Sequence, residues 1–82
     1  MSIEDKVKEY ILENYLFTDD MSALGNDDSF IEKGIIDSTG ILEVIFFLEE
    51  TFNIVVEDDE MVPENFDSVN NITTFVNKKS VA

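Results

Sequence analysis

The apolar positions Ile41, Ile45, Leu48 and Phe52 recur at i, i+4, i+7 and i+11. That is the repeat of one face of an α-helix. Burying each contributes about 1.5–3 kcal/mol before the entropy of ordering the chain is set against it. A second stripe, Thr39, Leu42, Phe46 and Glu49, runs along another side of the same helix, where one small core does not need it. Of Phe46 and Phe47, one at least is expected in the core. Asp37 stands where an N-cap belongs and can accept from the free N–H groups of the first turn. No Glu or Gln follows three places later, so the pattern falls short of a capping box. Gly40 lies inside the first turns, at a cost of about 1 kcal/mol relative to alanine. Its presence predicts a spatial reason, and room beside Ser38 is the expected one.

The same periodicity predicts a first helix over residues 3–15. Its apolar side is Ile3, Val7, Tyr10 and Ile11, extended by Leu12 and Tyr15, and Ser2 is its N-cap. Residues 17–36 show no sustained period and read as a long loop, with a turn at Gly25-Asn26-Asp27-Asp28 and a short helical turn at residues 29–32. Phe17, Met21, Leu24, Phe30, Ile31 and Ile35 or Ile36 are its expected anchors on the core. After the central helix, residues 53–56 read as an extended connector, since no partner strand is in sight. Glu57-Asp58-Asp59-Glu60 lacks the alternating ligands and the glycine of a calcium loop and reads as a solvated loop. Pro63-Glu64-Asn65-Phe66 predicts one helical turn with proline at its first position. Asp67 or Ser68 then caps a last helix whose apolar face is Val69, Ile72, Phe75 and Val76. Lys78 and Lys79 suit its negative end, and the tail Ser80-Val81-Ala82 is expected to fray. The expected fold is all-α: one domain over residues 1–82, a small bundle of three main helices plus one short helix, with a long loop between helices 1 and 2.

Charge narrows the choice of partner. Nineteen acidic residues face five lysines, a formal net charge of −14. Repulsion disfavours a nucleic-acid backbone and an anionic membrane surface. A basic protein partner is favoured, and self-repulsion favours a monomer. A 44% hydrophobic content with seven Phe is enough to build a core. No run is long and apolar enough to span a bilayer, and the first residues lack the basic and apolar regions of a signal peptide. A cytoplasmic location is expected.

Without His or Cys the chain has no Ser–His pair, no thiol nucleophile and no usual zinc ligand set. Carboxylates are too many for their adjacency to carry information, and Gly25, Gly34 and Gly40 make no phosphate-cradling loop. No enzymatic activity of its own is expected. Ser38 is the residue of chemical interest. It opens a helix, where unpaired N–H groups and the positive end of the macrodipole favour a phosphate. The plain alternative is a first-turn or capping serine. If Ser38 does chemistry, another protein must place a group on it.

Gly34-Ile35-Ile36-Asp37-Ser38 resembles the attachment motif of the acyl carrier and peptidyl carrier protein superfamily. The likeness extends over nearly the whole chain, through residues 48–54 and 69–76. The resemblance implies an acyl-carrier-like bundle in which Ser38, beside Asp37, is esterified with 4′-phosphopantetheine. The arm comes from coenzyme A by the action of a phosphopantetheinyl transferase with magnesium. Its thiol would carry an acyl or aminoacyl group as a thioester, loaded by an activating ligase and presented to downstream enzymes with basic docking patches. Thr39, Leu42, Glu43, Phe46, Glu49 and Glu50 would form the partner-binding surface. Ile54, Val55 and Val56 would help line the place where cargo sits.

Fatty-acid carriers usually have leucine and then an acidic or polar residue after the serine, where this chain has Thr39 and Gly40. Asp37-Ser38-Thr39-Gly40 looks closer to D-alanyl carrier proteins, and the order of Phe66, Asp67 and Ile72 is loosely similar. A carrier in a specialised biosynthetic pathway, acyl or aminoacyl, is the leading expectation. A D-alanyl carrier with a dedicated ligase is the alternative within the superfamily. Outside it stands an acidic interaction module that binds a basic partner.

Overall fold

The computed structural model describes residues 2–80. Four α-helices lie among them: α1 (Ile3–Ile11), α2 (Ser38–Phe52), the short α3 (Pro63–Phe66) and α4 (Val69–Ser80), with no strand among the described residues. The all-α expectation holds, with three longer helices, one short one and a long connection between α1 and α2. Ser80 ends α4, and Val81 and Ala82 of the expected fraying tail lie outside the described residues.

Ser2 caps α1 as expected, its hydroxyl accepting from the Asp5 N–H at 3.1 Å. The regular helix stops at Ile11 rather than running to Tyr15. Leu12–Leu16 continue it as a π-turn, which Phe17 closes in the left-handed region at φ 55°. The wider turn keeps Leu12 in the core and leaves Phe17 outside, 84% exposed. Helices α1 and α2 lie antiparallel, as their side chains show. Lys6 sits over the Phe52 ring, Tyr10 stacks on Phe47 at 3.9 Å, and the Tyr15 hydroxyl reaches Glu43 at 3.0 Å.

On α2 the buried face is Ile41, Val44, Ile45 and Leu48. Phe52 is only half-buried, packed on the rim of the core against Phe47. Val44, absent from the expected stripe, is buried in the second turn. Phe47 packs against the core, and Phe46 points outward. Asn53, left-handed at φ 55°, ends the helix in the manner common for Asn. The extended connector then inserts Ile54 and Val56 into the core and exposes Val55.

The long connection is anchored by fewer residues than expected. Leu24, Phe30 and Ile36 are buried and Ile35 is half-buried, whereas Phe17, Met21 and Ile31 are exposed. Residues 21–23 form a single 3₁₀ turn capped by Asp20. The expected helical turn over residues 29–32 is instead a hydrogen-bonded turn reaching Gly34. Of the two cap candidates for α4, Ser68 takes the role, accepting from the Asn71 N–H at 3.1 Å. Asp67 ties the connection down instead. Its carboxylate accepts from the Ser29 hydroxyl at 2.6 Å and the Ile31 N–H at 3.0 Å, and its carbonyl accepts from the Phe30 N–H at 2.8 Å.

The acidic run is not a simple solvated loop. Asp58–Glu60 form a 3₁₀ turn, and Glu60 meets Lys79 of α4 at 2.8 Å. Lys79, with the Glu57 N–H, holds the Glu60 carboxyl below its ordinary range. The α4 face of Val69, Ile72, Phe75 and Val76 is buried as expected.

Candidate functional site at the mouth of α2

The approach to Ser38 is fixed residue by residue. Gly34 has φ +69°, a conformation that costs a residue with a Cβ about 1–2 kcal/mol. It closes the turn that begins at Phe30, donating to the Ile31 carbonyl at 3.1 Å, while Ile35 N–H donates back to the Phe30 carbonyl at 2.8 Å. Ile36 is then buried, 2% exposed. Asp37 takes extended backbone, and its carboxylate accepts from the Gly40 N–H at 2.7 Å. The backbone carbonyl of Asp37 accepts from Ile41 N–H at 3.1 Å. Asp37 is thus the cap, and Ser38 is the first helical residue, free of the capping task and exposed.

The reason for Gly40 differs from the expected one. A Cβ there would stand 2.7 Å from the Cγ2 methyl of Ile36 and 3.4 Å from the Asp37 carboxylate. The glycine makes room for the buried anchor before Ser38, not for Ser38 itself. Gly40→Ala is expected to lose stability although alanine is the better helix former. Pushing a methyl into that packed contact costs about 1–3 kcal/mol, against about 1 kcal/mol gained in helix propensity. Urea unfolding checks this, and a rise in the midpoint would remove the steric account.

The first turn of a 15-residue helix offers N–H groups with no carbonyl partner in the helix and a positive dipole end. Asp37 already occupies the Gly40 N–H, on the side toward Ile36. A phosphodiester on the Ser38 Oγ therefore fits the donor set at this helix mouth, and the exposed hydroxyl is open to an incoming protein.

The expected partner-binding residues divide into two groups. Thr39, Leu42, Phe46 and Glu50 are exposed along one stripe of α2, with Leu42 at 49% and Phe46 at 65%. Two of the carboxylates are already engaged within the fold. Glu43 accepts from the Tyr15 hydroxyl, and Glu49 accepts from the Val56 N–H at 3.1 Å, tying the connector back onto α2. Burial and then the Glu43 hydrogen bond push the Tyr15 phenol well above its ordinary range, so it remains a donor. In the sequence Tyr15 only extends the apolar side of the first helix, and its tie to the serine helix carries no local signal, since its partner lies 28 residues on. For Asp67 a signal exists: a helix needs one cap, and an Asp-Ser pair leaves one member free for other work. Of the residues expected to line a cargo site, Ile54 and Val56 are core and only Val55 faces outward.

No protein-family model matches the chain. Among curated proteins it is similar to D-alanyl carrier proteins of Streptococcus pyogenes serotype M5 (strain Manfredo), serotype M49 (strain NZ131) and serotype M1. Each is 40% identical over 72 residues, covering 88% of this chain and 87% of the relative.

Proposed function

The chain belongs to the D-alanyl carrier protein family, a family of carriers and not of enzymes, and we propose that it holds D-alanine on a 4′-phosphopantetheine arm attached to Ser38. The observation that carries the reading is the placement of an exposed Ser38, freed from capping by Asp37, at the positive end of α2. The names of its relatives favour a D-alanyl cargo over the broader acyl cargo that the attachment motif alone allows, and nothing among them favours a fatty-acid or polyketide pathway.

Ser38 Oγ forms an ester bond to the phosphorus of the arm's phosphate. The pyrophosphate bond of coenzyme A breaks, adenosine 3′,5′-bisphosphate leaves, and the serine proton passes to the phosphopantetheinyl transferase. When bound, the arm supplies a terminal thiol that holds the D-alanyl group as a thioester. The free N–H groups of the α2 mouth would stabilise the charge of the phosphodiester. Asp37 holds the first turn open in the geometry that presents Ser38. Thr39, Leu42, Phe46 and Glu50 meet the partner, and the acidic surface draws basic patches of the transferase, the adenylating ligase and the enzyme that accepts the cargo. Glu43 and Glu49 add field at that surface while serving the fold. No described helix is long and apolar enough to cross a membrane, and the protein is read as a cytoplasmic monomer.

The test is loading. The protein carrying the arm is incubated with ATP, magnesium, D-alanine and a ligase that loads the S. pyogenes relatives. One D-alanyl group is expected by intact mass, released by hydroxylamine as a thioester requires. Replacing D-alanine with a fatty acid and an acyl-carrier synthetase is expected to give little product. Absence of D-alanyl transfer where an S. pyogenes carrier is loaded would remove the proposal.

A further inference from the structure

Among the described residues Phe17 is the most exposed large apolar side chain, at 84%. A lone exposed apolar side chain is ordinary, but the backbone under this one is not. It follows a π-turn over Leu12–Leu16 and stands in the left-handed region at φ 55°, ψ 43°. That region is sterically disfavoured for a residue with a bulky side chain, and glycine or asparagine usually fills such a position at a helix end. The protein follows that rule at the end of α2, where Asn53 has the same conformation. At the end of α1 it places phenylalanine instead. The turn alone does not call for the ring, and the ring does not enter the core.

Its surroundings are acidic. Glu13, Thr18 and Asp19 border the same surface hollow as Phe17, Asp20 follows, and Met21 is also exposed. The sequence has no cation between Lys8 and Lys33. The position is also telling. Because α1 and α2 are antiparallel, the end of α1 lies at the mouth of α2. The Tyr15 hydroxyl stands 3.8 Å from the position a Gly40 Cβ would take, so Phe17 and Ser38 flank one corner of the bundle, each two residues from that contact.

We propose that Phe17, rimmed by Glu13 and Asp19, is a second docking knob that seats in an apolar socket ringed by Lys and Arg on the adenylating ligase that loads this carrier. The inference rests on the D-alanyl carrier reading. Charge complementarity selects a basic protein over a second copy, and the ligase follows from the carrier reading. A second copy of this chain would bring its own net charge of −14 against the same rim, whereas a basic protein face is attracted to it. The hollow beside Phe17 is lined by no residue of α2, so it is separate from the exposed stripe of that helix.

Steady-state loading of the arm-bearing protein with D-alanine by that ligase tests the proposal. Phe17→Gly is expected to raise the KM for the carrier about tenfold with kcat within twofold. Its urea midpoint is expected to stay level or rise, since glycine accepts the left-handed conformation freely. The double variant Glu13→Lys, Asp19→Lys is expected to raise KM as well, and an unchanged KM there would remove the charged rim from the proposal. An unchanged KM in Phe17→Gly, beside normal loading of the wild type, overturns the docking knob and leaves the carrier reading intact. A clear fall in the urea midpoint of Phe17→Gly overturns it too, since the ring would then be structural. Failure of the wild type to load overturns both.

Discussion

Ser38→Ala is expected to abolish attachment of the phosphopantetheine arm completely, and with it all cargo loading, while the fold is retained. The loss is total because the substitution deletes the one oxygen that would form the ester bond. The protein tolerates it because of where the serine stands. Asp37 holds the cap through its bond to the Gly40 N–H, and losing a cap costs about 1 kcal/mol. Ser38 is one residue further on, exposed, and at a position where alanine is a good helix former. Stability should therefore change by less than about 0.5 kcal/mol. The check is intact mass after incubation with coenzyme A, magnesium and a broad-specificity transferase, with circular dichroism alongside. If the variant still gained the mass of one arm, the attachment site would lie elsewhere. If it unfolded, Ser38 would be a structural serine after all.

The mouth of α2 could be read from the chain because its cues are local. The Asp37 cap and the apolar repeat of Ile41, Ile45 and Leu48 each act within a few residues. The same holds for Ser2 at α1, Pro63 at α3 and the α4 face. What could not be read depends on what arrives from a distance. Glu43 and Glu49 look like free charges on an acidic helix until Tyr15 and the Val56 N–H are folded against them. The steric need behind Gly40 belongs to Ile36, whose methyl direction follows from its burial. Phe17 looks like a core anchor by composition. Only the π-turn, an irregular addition to the helical period, turns it outward. The long connection misled in the same way. Its apolar residues suggest anchors at every position, but only the subset aligned by its turns with the core is buried.

Phe30→Ala is expected to be among the most damaging single changes to the fold, although it lies outside every helix. Its side chain is fully buried, and truncating such a phenylalanine costs about 3–5 kcal/mol in lost transfer energy and residual cavity. A small domain has a total stability of only about 5–15 kcal/mol, so the variant should be close to the unfolding threshold. The position also carries backbone order. The Phe30 N–H donates to the Asp67 carbonyl at 2.8 Å, and its own carbonyl accepts from Ile35 N–H at 2.8 Å and Ile36 N–H at 3.3 Å. Those bonds turn the chain toward Asp37 and Ser38 and tie it to the corner between α3 and α4. Loosening them frees the approach to the serine before α2 itself melts. Urea unfolding should show a loss of this size. Hydrogen exchange should show early loss of protection at the Ile35 and Ile36 amides, ahead of Ile45 and Leu48 in the middle of α2. A loss below about 0.5 kcal/mol, the range of a surface substitution, or equal protection of the two segments, would mean that the long connection is held by its turns alone and not by the core.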